Sequence, residues 1–153
     1  MAWATKLPAA ISRLVTVFST WPGLADVTVV DGPTLSKQTF TEVVTVGWTG
    51  GEDDADAEAT ISPEGAGGSP DREQFTIRCA AAVLLGSDDV PGARARAYDL
   101  LSEAGAALAA NRTLNGLVLR AMVGSHSLTQ DRTQQGTQAT VVFEVSCDAY
   151  TDA

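Results

Sequence analysis

The chain has 153 residues, 44% of them hydrophobic and 19% charged, and carries a net charge of -9. That length suits one domain, long enough to bury roughly 68–70% of the surface its unfolded form exposes. The acidic balance argues against phosphate backbones or anionic lipid as partners, since both require a basic face, and no basic stripe exists: Lys6 and Lys37 are the only lysines, and among the arginines only Arg94 and Arg96 lie close together.

In chain order, Leu7, Ile11, Leu14 and Phe18 recur at i, i+4, i+7 and i+11, the spacing of one helical stripe, and Pro8 suits the first turn. Arg13 interrupts the apolar part of this N-terminal stretch, and no small-residue cleavage site follows it, so a secretory signal is not expected. Trp21-Pro22-Gly23 ends the helix. Asp26 to Val30 reads as a short β-branched strand closed by Asp31-Gly32-Pro33, and Glu42 to Trp48 as a second strand. From Glu73, Phe75, Ile77, Cys79, Ala81 and Val83 alternate with Gln74, Thr76 and Arg78, the pattern of a half-buried strand. The run Cys79 to Leu85 is far too short to cross a bilayer as a helix, which takes about 20 residues. Ser87-Asp88-Asp89 supplies caps for a helix through about Ala110, with Ala97, Leu101, Ala104 and Leu108 on its apolar stripe and Asn111 as its stop. Two strands follow, Leu117 to about Gln130 and Thr137 to about Asp148, joined by a turn in DRTQQG and expected to pair with each other. The order implies an α+β fold: a mainly antiparallel sheet of about four to five strands with two principal helices on one face.

The segment 49–72 is glycine-rich and acidic. Its stretch EDDADAEATISPEG places six carboxylates in fourteen positions without a basic residue. Read from Asp54, the residues Asp54, Asp56 and Glu58 occupy positions one, three and five of a calcium loop. Position six is Ala59 where glycine is needed, and position twelve is Gly65 where a bidentate Glu is needed. A solvated, flexible loop is the expectation, because like charges and little apolar content leave nothing to order it.

Other chemical motifs are equally incomplete. His126 is the only histidine, and its neighbours Ser125 and Ser127 should point to the opposite sheet face, so it forms no nucleophile–base pair with them. One histidine and two distant cysteines, Cys79 and Cys147, do not make a zinc ligand set, and the cysteines are expected as buried free thiols, with a disulfide between neighbouring strands as the alternative. No phosphate-cradling Gly-Lys-Ser/Thr motif occurs. A non-enzymatic protein without cofactor or metal is expected. The three tryptophans are spread over separate elements, which favours core and interface packing, and Trp3, ahead of the first helix, is the best interface candidate.

The whole-chain layout resembles the tail terminator, or tail-completion, proteins of bacteriophages with long noncontractile tails. The resemblance runs through LPAAISRLVTVF, EVVTVGW before a variable loop, EQFTIRCAAAVLLG leading into PGARARAYDLLSEAGAALAAN, and the closing TQATVVFEVSCDAY. Alanine-rich, lysine-poor usage is similar to that of phages of actinobacterial hosts.

The resemblance implies a virion protein assembled in the host cytoplasm, forming a ring, typically a hexamer, at the tail–neck junction. Such a ring caps the major tail tube protein and meets a head–tail connector or stopper protein, with genomic DNA passing unbound through its channel and no membrane involved. A head–tail connector or head-closure protein on the portal side is the alternative. In either role the first helix and final hairpin are the expected contact elements and the acidic segment a docking loop. Trp3, Arg13, Trp48, Asp53, Asp54, Asp56, Glu58 and Arg132 are then candidate interface residues, and some carboxylates would line the channel and repel passing DNA.

Overall fold

The computed structural model describes residues 3–34, 41–51, 54–64 and 70–152. Helix α1 spans Leu7–Thr20 and α2 spans Val90–Ala110. The strands are β1 (Thr28–Asp31), β2 (Glu42–Val46), β3 (Ala57–Ser62), β4 (Arg72–Leu85), β5 (Arg120–Thr133) and β6 (Gly136–Tyr150). The chain is thus an α+β protein with a six-stranded, mostly antiparallel sheet. No helix among the described residues is long and apolar enough to cross a membrane.

Strands β4 and β6 form the centre. They pair antiparallel without interruption from Arg72↔Tyr150 to Leu85↔Thr137. Because side chains alternate with period two, this register puts Phe75, Ile77, Cys79, Ala81 and Val83 on the same face as Ala139, Val141, Phe143, Val145 and Cys147, and all ten are buried. Both helices cover that face. Phe18 of α1 meets Phe143 edge to face at 6.4 Å. The small Ala93, Ala97, Ala104 and Ala107, all fully buried, bring α2 close to the sheet. The apolar stripe of α2 is rotated from the expected one, with Leu100 fully buried and Leu101 only partly. A broad sheet takes a wider helical face than an i, i+4 line through Leu101.

The other edge of β4 is shared. Strand β2 pairs with Cys79–Val83 and β3 with Arg72–Ile77, so the two lie end to end along one neighbour. Strand β1 extends the sheet beyond β2 in parallel, and β5 closes the far side against β6, so the expected hairpin is present. The sheet exceeds the expected four to five strands because β3 forms inside the segment expected to be a flexible loop. Its side chains are nearly all exposed, and backbone pairing with β4 holds it. A deletion across residues 53–69 therefore removes a strand. Asp53 and the glycine-rich run 65–69 lie outside the described residues.

Two ends differ from expectation for local reasons. Strand β2 stops at Val46 because Gly47 turns the chain with φ 74°. Strand β5 starts at Arg120 and not Leu117, because Leu114, Asn115 and Gly116 are consecutively left-handed (φ 49°, 61° and 83°) and fold residues 111–119 into a turn that buries Leu114.

The start of α1 is fixed from outside. Its N-cap, Lys6, makes no side-chain cap. Instead the buried carboxylate of Glu73 on β4 accepts the Lys6 backbone N–H at 2.8 Å and the Thr5 hydroxyl, while Thr5 Oγ1 accepts the Leu7 N–H at 3.1 Å. A buried carboxylate placed at a helix N-terminus offsets its desolvation with charge-assisted bonds and the helix dipole. The other end is tied by Trp21, whose indole N–H donates to Glu103 of α2 at 2.8 Å.

Glu73→Ala is expected to lower unfolding free energy by about 2 kcal/mol in denaturant titration, since two orphaned donors remain at the helix start. A comparable loss is expected for Gly136→Ala: Gly136 has φ 129°, and a Cβ there would lie 1.8 Å from the Leu85 carbonyl oxygen. Both strain and collision oppose the methyl group, at a combined cost of about 2 kcal/mol.

Candidate interaction surface

The face of the sheet opposite the helices carries the second side-chain set of β4 and β6, and it divides into two halves. Toward β2 it is apolar: Val43, Ala80, Ala82 and Leu84 floor a groove of about 400 Å³ beside Trp48. Trp48 is half-buried and held by its carbonyl, which accepts the Thr45 hydroxyl at 2.7 Å.

Toward β3 the surface is charged. Arg72 donates in a two-pronged fashion to Asp148, lies 3.6 Å from Glu64, and stacks 5.4 Å from the Tyr150 ring centre. Arg78 bonds Glu58 at 3.1 Å and lies 3.6 Å from Glu144, which also accepts the Ser125 hydroxyl at 3.1 Å. Two guanidiniums thus serve four carboxylates. The hydrogen bonds from Arg72 hold the Asp148 carboxyl below its ordinary range and push the guanidinium further up. Near the sheet's β2 side, Arg96 of α2 does the same for Glu42.

The potential catalytic groups are separated or muted. A bulge at Gly124–Ser125 changes the phase of β5, because Val123 faces Val145 but His126 faces Phe143. His126 therefore lies on the helix side, where Nδ1 is 3.4 Å from the Tyr98 hydroxyl, while Ser125 reaches Glu144 on the open face. Cys79 and Cys147 are free and buried, and burial pushes both thiols up to about 12, so neither is a thiolate at neutral pH. Among the described residues, no three His, Cys, Asp or Glu side chains gather as a metal site.

The candidate interface residues among the described ones occupy five different places. Trp3 is 53% exposed and donates its indole N–H to Asp71 at 3.2 Å. Asp54 and Asp56 are exposed just ahead of β3, on which Glu58 sits beside Arg78. Arg13 is committed within the fold, bonding the Leu114 carbonyl at 2.8 Å and bracing the left-handed turn. Trp48 belongs to the apolar groove, and Arg132 lies exposed near the hairpin end of β5. The sequence reading omits three further exposed apolar side chains, Ile61, Leu119 and Met122. The strand register places Ile61 opposite Glu73, which pairs with Ala149, and Leu119 just before the Arg120↔Asp148 pair, so these two lie at the same end of the sheet on opposite edges, whereas Met122 lies opposite Ser146 on the open face.

No protein-family model matches the chain, and no curated protein matches it. Among solved structures, a chain of "Virion of native gene transfer agent (GTA) particle" is similar over 95% of this chain and 96% of its own, with a TM-score of 0.45 and 9% sequence identity.

The depressed carboxyls give a pH signature. A carboxylate whose folded value lies below its ordinary value contributes stability that is complete above the ordinary value and disappears as pH falls through the folded one. The ordinary values are 3.8 for Asp148 and 4.5 for Glu42. Asp148→Asn and Glu42→Gln should each lower the melting temperature at pH 7, and the gap to the unsubstituted protein should close as pH drops below 4.5 and then 3.8.

Proposed function

We propose that this chain is a structural, non-catalytic subunit of a phage-like virion that assembles into a ring capping the tail tube, ending its growth and joining the tail to the head connector. The observation that carries the reading is an α+β sheet with one face covered by helices, one face open, and, among the described residues, unpaired edges on opposite sides at β3 and β5. Free edges are surfaces that a monomer has reason to protect with lysine or proline, and neither β3 nor β5 contains either residue. Heterologous contacts between two different sides of a subunit are what a cyclic assembly requires. The element order is also that of the tail-terminator resemblance, from α1 through the closing hairpin.

Neutralised arginines suit the same role. On the open face Arg72 and Arg78 are both engaged by carboxylates, so they are not free to grip phosphates. A wall of that kind lets DNA slide past, because affinity for the duplex rises with the number of unpaired cations offered to it. In a hexamer the net charge of each subunit, -9, would add to that repulsion.

The test is reconstitution with purified tail tube protein. Negative-stain images should display shortened tubes ending in a ring only when the chain is present. Binding to the portal assembly with no change in tube length would instead make it a connector or head-closure protein.

A further inference from the structure

Strand β3 is the strand least held by the core. The apolar cluster takes Val29 from β1 and Ala121, Val123 and Leu128 from β5. From β3 it takes only the methyl group of Ala57, and the five residues from Glu58 to Ser62 are all exposed. What holds β3 is its backbone ladder, from Ala57↔Ile77 to Ser62↔Arg72, with polar ties at its two ends. Strand β4 does not depend on β3 in return. The same six residues of β4 pair with Val145 to Tyr150 of β6, and Phe75 and Ile77 belong to the helix-covered core. An element with few buried apolar contacts and solvent-facing backbone bonds opens far more readily than the core it borders, since each ladder bond is exchanged for one to water.

The polar ties run through the two guanidiniums of the open face. Arg78 donates from its side chain to the Ala55 carbonyl at 2.5 Å and to Glu58 at 3.1 Å, and from its backbone N–H to the Asp56 carbonyl at 2.9 Å. Its side chain is 16% exposed, and its other carboxylate, Glu144 of β6, stands at 3.6 Å. Past the end of β3, Glu64 lies 3.6 Å from Arg72 and accepts the Tyr150 hydroxyl at 3.0 Å, while Arg72 keeps its two-pronged bond to Asp148 of β6. Each guanidinium therefore has one carboxylate on β6 and one on the arm that carries β3. If the arm leaves, Glu58 and Glu64 leave with it, and Arg72 and Arg78 keep one carboxylate each. Arg78 loses more, because among the described residues both acceptors within hydrogen-bond distance of its side chain belong to the arm.

We propose that β3 is a detachable cover: the arm from Asp54 to Glu64 opens from β4 while the rest of the sheet stays folded, and opening turns Arg78 from a covered, neutralised group into an accessible cation. Closed, the arm keeps the field of both guanidiniums low. Open, it removes two negative charges from the face and bares the β4 edge from Arg72 to Ile77. An anion that binds Arg78 in the open form alone shifts the population toward that form, so the position of one strand sets the charge that this face presents. The device is a property of the single chain and does not rest on the proposed ring.

Hydrogen exchange read by mass spectrometry on the full chain, in rising denaturant below the unfolding transition, tests the opening. Amides of Ala57–Ser62 should exchange at a rate nearly independent of denaturant, because a local opening exposes little surface, whereas those of the β4–β6 ladder should follow global unfolding. The cover is then locked with Thr60→Cys/Gln74→Cys. These residues face each other across β3 and β4, both exposed and outside the Arg72 and Arg78 pairs; opposed residues lie about 4.5–5.5 Å apart, within disulfide reach, and the native thiols are buried. Oxidation should slow exchange in Ala57–Ser62 about tenfold or more. It should equally slow modification of Arg78 by phenylglyoxal, mapped by peptide mass spectrometry, and reduction should restore both rates. Arg120, exposed and outside the arm, is the internal reference and should react at one rate throughout. Glu58→Gln, which removes one tie, should speed both processes about twofold or more. Circular dichroism establishes that each variant is folded, and if the cysteine pair fails to fold, the denaturant dependence and Glu58→Gln decide alone. Exchange in β3 that rises with denaturant as steeply as in β4–β6 would overturn the proposal. So would Arg78 reacting equally fast in the oxidised and reduced forms, or at an unchanged rate in Glu58→Gln.

Discussion

The architecture depends on the uninterrupted register of β4 against β6. Fourteen consecutive pairs leave no freedom in phase, so each odd-numbered residue from Glu73 to Leu85 is committed to the helix side along with its partner on β6. A slip of one residue would exchange Phe75, Ile77 and Cys79 for Gln74, Thr76 and Arg78 in the core. The helices, the neutralised arginines of the open face and the positions of the edges all follow from that commitment.

The same register explains why charge appears on the open face in an orderly ladder. Arg72 and Arg78 are six positions apart on β4, and each has a β6 carboxylate at or near its own row: Asp148 two residues from the partner of Arg72, and Glu144 directly opposite Arg78. Strand β3 then adds Glu58 and the following segment adds Glu64 from the other side. Exposed pairs of this kind add little to stability singly. Their larger effect is on what the surface can bind, since paired guanidiniums present a weaker field to an anion than free ones do.

Much of this was legible in the amino-acid sequence because period and composition agree there. Alternation from Phe75 to Cys79, and from Ala139 to Cys147 with Val142 as the exception, marks the central strands, and the 3.6-residue stripe through Leu14 and Phe18 marks α1. Strand β3 escapes such reading because Ala57–Ser62 has almost nothing to bury: its order comes from β4, a partner that local sequence does not announce. The parallel pairing of β1 with β2 is likewise a long-range choice. For the surface, Trp3 and the acidic residues were visible as candidates. Arg13 turned out to brace the Leu114 carbonyl, and the relation of Ile61 to Leu119 emerges only when four strands are laid side by side.

The position of β6 also constrains biosynthesis. It is the last element in the order yet occupies the middle of the sheet: among the described residues it is the sole strand neighbour of β5 and the only strand to run the full length of β4. A ribosome that has not yet translated the residues through Tyr150 holds a nascent chain in which Phe75 to Val83 has no central partner and α2 has half a floor. Productive closure therefore waits until β6 has been made, with high contact order slowing it, and the emerging apolar strands are natural clients for a chaperone during that interval.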